Sequence, residues 1–75
     1  MSTDKNNIYN IIGKNIKKYR IEKGLKQREL ASKLYLSDSF IAKLESKTYQ
    51  SISIDTLLEI ANLLEVDIRN FFDPE

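Results

Sequence analysis

The chain has 75 residues, with twelve Lys or Arg against eleven Asp or Glu and neither cysteine nor histidine. Such numbers confine it to one small domain, exclude a disulfide framework and a thiolate metal site, and remove the usual general base and the commonest nitrogen ligand. A domain this small buries only about 60% of its unfolded surface, so a close-packed helical bundle or a dimer has to supply the core.

No run of apolar residues is long enough to cross a membrane. The start, MSTDKNNIYN, lacks a basic stretch followed by an apolar one and does not read as a secretory signal. The expectation is a cytoplasmic protein. Charge is unevenly spread. Residues 1–50 carry eleven basic and five acidic side chains, whereas residues 51–75 carry one basic and six acidic. That polarity suits a molecule whose first part faces phosphate and whose last part faces away from it.

Residues 1–7 are polar and read as a flexible N-terminal segment ahead of a single domain, 8–75. Helix 1 is expected from Ile8 to Lys23, with Ile12, Ile16 and Tyr19 on one stripe and Gly24 stopping it. Leu25 turns back inward. Helix 2 covers Gln27 to Leu34, its apolar face made by Leu30, Ala31 and Leu34. Tyr35 and Leu36 form a turn, and Ser37 is placed to cap helix 3, which runs to about Lys47. Ile41 and Leu44 seat helix 3 on the core. Ser53 caps helix 4, with Asp55 in its first turn and Leu57, Ile60, Ala61 and Leu64 as its stripe. Val66 packs in the next turn. Asp67 starts a short helix 5 carrying Ile68, Phe71 and Phe72, which Pro74 ends. The reading is all-α: five helices around one core, with no strand alternation and no repeat.

The stretch Leu25–Glu45, LKQRELASKLYLSDSFIAKLE, is the most informative. Two short amphipathic helices meet at a tight turn, and the second opens with the small polar run Ser37-Asp38-Ser39. A helix so built seats one face on a core and shows its front end to a groove, the geometry of a DNA-reading helix-turn-helix.

Gln27, Leu30, Ala31, Leu36, Ser37, Ile41 and Glu45 resemble the helix-turn-helix of Cro/C1-type (Xre) repressors, placed at helices 2 and 3. Ser53-Ile54-Asp55-Thr56-Leu57, Ile60-Ala61, Leu64-Glu65-Val66 and Phe71-Phe72 are similar to the same family's last two helices. The likeness spans residues 8–73, and the short length is similar to restriction–modification controller proteins and small phage or mobile-element regulators. The resemblance implies a lambda-repressor-like fold and a transcriptional regulator, binding double-stranded DNA as a homodimer on a near-palindromic operator. Three residues depart from the pattern: Tyr35 replaces the usual turn glycine, Lys26 a Ser or Thr cap, and Asp38 a neutral or basic residue.

By position, the resemblance makes Asp38, Ser39, Phe40 and Lys43 the base readers. Lys43 can donate to guanine, Ser39 donate or accept, and Asp38 accept from cytosine N4. Phe40 lies off the Ile41/Leu44 stripe, so it packs either on a thymine methyl or partly on its own domain. Lys26, Gln27, Arg28, Ser37, Lys47 and Tyr49 are placed to meet the DNA backbone. Arg20 and Glu45 are expected to pair and orient helix 3. Leu63, Ile68, Phe71 and Phe72 divide between core and a two-fold dimer interface. Such a dimer sets two copies of helix 3 about 34 Å apart, one turn of DNA. No cofactor, metal or small-molecule ligand is expected. Without His, Cys, a glycine-rich phosphate loop or a carboxylate pair, catalysis is not expected either. The competing reading is an antitoxin-like helical module that binds a protein.

Overall fold

The computed structural model describes residues 5–46 and 50–74. Four α-helices follow one another: α1 (Lys5–Glu22), α2 (Gln27–Lys33), α3 (Asp38–Glu45) and α4 (Ile54–Leu64). A 3-10 turn (Ile68–Phe72) follows α4. The class is all-α, as expected, with no strand among the described residues. The expected helix 5 is this 3-10 turn. Only five residues separate its Asp67 cap from its Asp73 end, too few for a stable α-helix.

α1 begins three residues ahead of the expected Ile8, so the 1–7 segment gives Lys5, Asn6 and Asn7 to the helix. Extending an already nucleated helix by one polar turn is easy. α3 stops at Glu45, with Ser46 as its C-cap, short of the expected Lys47. Lys47 and Tyr49 lie outside the described residues.

The core unites one stripe from each element: Ile12 and Ile16 of α1, Leu30 and Ala31 of α2, Ile41 and Leu44 of α3, Leu57, Ile60, Ala61 and Leu64 of α4, and Phe71. α1 packs chiefly on α3 and on the C-terminal turn, and α2 packs on α3. The α1–α3 contact is backbone-close. A Cβ added at Gly13 would overlap the carbonyl oxygen of Leu44 and stand 2.8 Å from its carbonyl carbon. Glycine is what lets the two helices meet.

Three polar caps set helix starts. Ser37 Oγ accepts from the Phe40 amide at 3.0 Å, Ser53 Oγ from the Thr56 amide at 3.1 Å, and Asp67 Oδ1 from the Arg69 amide at 2.9 Å. Hydrogen bonds from Arg69 hold the Asp67 carboxyl down from its ordinary 3.8 to about 2. Lys26 cannot cap α2 with its side chain; instead its own amide donates to Glu29 Oε1 at 2.7 Å, half of a capping box.

Three helix ends share one device. The residues after α1, α2 and α4 include Gly24, Tyr35 and Glu65, with φ of 79°, 58° and 60°. Each is followed by an apolar residue (Leu25, Leu36, Val66) whose amide reaches back to a carbonyl five residues earlier (Arg20, Ala31, Ala61). This is the Schellman arrangement, and Leu25, Leu36 and Val66 pack against the core as it requires. Only the first site has the glycine that left-handed backbone favours. A non-glycine residue there costs roughly 1 kcal/mol.

Asn15 joins the C-terminal turn to α1. It is 2% exposed, and its Nδ2 donates to the carbonyls of Phe71 at 2.9 Å and Asp73 at 2.7 Å. Those two bonds satisfy carbonyls that a short turn leaves unpaired. They also carry Phe71 into the core, where it is fully buried with its ring 6.2 Å from that of Tyr19. Of the four residues expected to divide between core and dimer interface, Phe71 therefore goes to the core and leaves the interface set. Its side chain is spent on the monomer.

Candidate nucleic-acid interface

The site is assembled around α3. Ile41 and Leu44 are buried, and helical spacing then turns Asp38, Ser39 and Lys43 outward; all three are exposed. Ser39 and Lys43 stand four residues apart and share one edge. Phe40 is half-buried and packs against the core, so part of its ring serves the domain.

The far end of α3 is fixed by a buried ion pair. Arg20 Nε donates to Glu45 Oε2 at 2.7 Å and Arg20 Nη2 to Glu45 Oε1 at 2.8 Å. The side chains are 9% and 1% exposed. Arg20 Nη1 also donates to the Leu25 carbonyl at 2.6 Å, and Gln27 Nε2 donates to Glu45 Oε1 at 3.0 Å. One carboxylate thus joins the end of α1, the start of α2 and the end of α3. A fork-to-fork pair fixes angle as well as distance. Burying it adds little net stability. What it supplies is a single orientation for the exposed edge of α3.

Gln27 is accordingly a bridging residue in the free protein. One amide hydrogen is bound to Glu45, leaving the other available to a phosphate. Lys26, Arg28 and Ser37 are exposed. The Ser37 oxygen accepts from Phe40, and its hydroxyl hydrogen remains available to donate. Arg28, Glu29, Ser32, Lys33 and Asp38 line a shallow groove between α2 and the start of α3. Among the described residues no cluster of carboxylates, histidines or cysteines could hold a metal ion.

Sequence reasoning missed Gly13, Asn15 and the bridging bond of Gln27. A glycine in the middle of a helix and an asparagine beside the Ile12/Ile16 stripe were the available signals. Two exposed apolar side chains also went unread, Ile54 at 59% and Leu58 at 42%; Phe72, expected at an interface, is 39% exposed. Ile8, Tyr9, Ile12, Ile52, Ile54, Leu57 and Phe72 line a groove beside them. Of the other residues expected at an interface, Leu63 and Ile68 are half-buried against the core.

Two short helices at a tight turn, the second locked to α1 and bare along its polar edge, define a helix-turn-helix unit. A family model described as helix-turn-helix matches residues 16–71. Among curated proteins, the HTH-type transcriptional regulator SinR of Bacillus subtilis (strain 168) is 33% identical over 65 residues, covering 87% of this chain and 59% of SinR. The HTH-type transcriptional regulator SlrR of the same organism is 32% identical over 65 residues, covering 87% of this chain and 43% of SlrR. SinR of Bacillus licheniformis is 32% identical with the same coverage as the first. This chain spans about half the length of the curated relatives it matches. It belongs to the Cro/C1-type (Xre) helix-turn-helix family, a family of DNA-binding transcriptional regulators. No helix among the described residues is long and apolar enough to cross a membrane.

Proposed function

We propose that the chain is a sequence-specific DNA-binding regulator of transcription, acting as a homodimer on a near-palindromic operator. It works by occupancy, excluding polymerase from a promoter or recruiting it from an upstream site. The observation that carries this reading is the exposed edge of α3, Asp38, Ser39 and Lys43, on a helix whose other end is held by Arg20, Glu45 and Gln27. Ser39 and Lys43 read base edges in the major groove, with Lys43 donating to guanine O6 or N7. Asp38 accepts from cytosine N4, and the exposed part of Phe40 meets a thymine methyl. Lys26, Arg28, Ser37 and the remaining amide hydrogen of Gln27 hold the flanking phosphates, as do Lys47 and Tyr49. The basic excess of residues 1–50 supports that side as the one facing DNA.

The dimer is formed by the apolar face of Ile54, Leu58 and Phe72 and the groove between it and Ile8. Such a patch is costly to leave in water on a small domain. The acidic last third carries it, away from the DNA-facing side. Leu63 and Ile68 contribute only the surface that the core leaves open.

The test is a selection from random duplexes with purified protein, paired with sedimentation at micromolar concentration. An inverted repeat and a dimer are expected, and Phe72→Glu lowers dimerisation and operator binding together while helical content stays. A monomer that binds a lone half-site tightly contradicts the dimer. Enrichment of no duplex contradicts DNA binding and favours the protein-binding module.

A further inference from the structure

Tyr35 occupies the left-handed position that ends α2, with φ 58°, and its side chain is 97% exposed. The other two helix ends built the same way differ from it. Gly24 bears no side chain, and Glu65, at φ 60°, forms an ion pair with Lys23. Glu65 therefore gains a contact within the molecule. Tyr35 has strained backbone and a bare aromatic ring that packs on nothing among the described residues. The fold alone would be served better by glycine at this position.

Backbone strain at a residue whose side chain makes no contact among the described residues points to a role outside the fold. The residue's place says which. Tyr35 lies two residues before Ser37, the cap of α3, and two after Lys33, on the turn that joins the two DNA-facing helices. When the start of α3 enters a major groove, this turn comes beside the sugar-phosphate wall of that groove. A tyrosine suits that wall: its ring covers a deoxyribose and its hydroxyl donates to a phosphate oxygen.

We infer that Tyr35 is a DNA-backbone contact, a sequence-independent anchor that steadies the leading end of α3. The inference rests on the DNA-binding reading above. It implies that stability and affinity respond to Tyr35 in opposite directions, which no packing role would produce.

The experiment compares wild type, Tyr35→Gly and Tyr35→Phe in thermal unfolding and in binding to the selected operator and to a random duplex. Tyr35→Gly is expected to melt no lower than wild type, yet to bind both duplexes about ten- to a hundredfold more weakly, because the dimer loses one hydrogen bond and ring contact at each of its two copies. Tyr35→Phe should fall between the two, and base preference should not change. Wild-type affinity in Tyr35→Gly overturns the inference and leaves the DNA-binding reading intact. A loss confined to the operator also overturns it, because a base reader behaves so. A wild type that binds no duplex overturns the DNA-binding reading and this inference together.

Discussion

Gly13→Ala is the sharpest test of how α1 positions α3. In an ordinary helix interior the change gains up to about 1 kcal/mol. Here the new Cβ overlaps the Leu44 carbonyl oxygen and stands 2.8 Å from the carbonyl carbon. Both are backbone atoms, and neither can rotate aside. The helices must separate, which loosens Ile12, Ile16, Ile41 and Leu44 and stretches the Arg20–Glu45 pair beyond them. Overpacking of this kind costs roughly 1–3 kcal/mol, toward the upper end where rigid backbone is struck. After the propensity gain, a net loss of about 2 kcal/mol remains, or roughly 8–15 °C in melting temperature for a domain this size. Thermal and urea unfolding followed by circular dichroism measure it, with Gly24→Ala as the control. At Gly24 a Cβ meets nothing within 4 Å, so only the φ of +79° penalises it, by about 1 kcal/mol. A Gly13→Ala protein as stable as wild type would refute the backbone-close packing of α1 on α3.

Three further outcomes are expected. Glu45→Ala leaves the Arg20 guanidinium buried and Gln27 without its acceptor, and should cost on the order of 3 kcal/mol in urea unfolding; a loss below about 0.5 kcal/mol would place the pair among exposed ones. Ser39→Ala and Lys43→Ala should change which base is preferred, by about 1–3 kcal/mol at one base pair, while Gln27→Ala weakens all duplexes alike; equal losses on operator and random DNA for the α3 variants would contradict their assignment. Asp67 should titrate near 2 by NMR, because Arg69 bonds its carboxylate. Its folded value lies below its ordinary one, so its contribution to stability is full above the ordinary 3.8 and is lost as pH falls through about 2. Asp67→Asn should remove that acid dependence, and an unaltered acid limb would contradict the linkage.

Apolar periodicity placed the core well. Of the residues that the spacing puts on inward stripes, Ile12, Ile16, Leu30, Ala31, Ile41, Leu44, Leu57, Ile60, Ala61 and Leu64 are buried, while Tyr19 and Leu34 are half-buried against them. Caps were equally legible, because Ser37, Ser53 and Asp67 act on amides two or three residues away. The less legible features depend on contacts across long sequence separations. Asn15 reaches Phe71 and Asp73, more than fifty residues on, and that is what draws Phe71 inward and leaves Phe72 at the surface. Period alone cannot divide two adjacent phenylalanines between core and surface, least of all in a 3-10 turn, where the helical spacing does not apply. At the candidate site, the outward edge of α3 follows from spacing, whereas the bridge from Gln27 to Glu45 needs two chain segments brought together by folding.

The central claim is that the face presented by α3 and the start of α2 binds DNA through phosphates as well as bases. The salt dependence of binding to a duplex tests it most directly. If a dimer neutralises roughly eight phosphates, log K falls against log salt with a slope of about −7. A slope near zero between low and moderate salt would contradict the account.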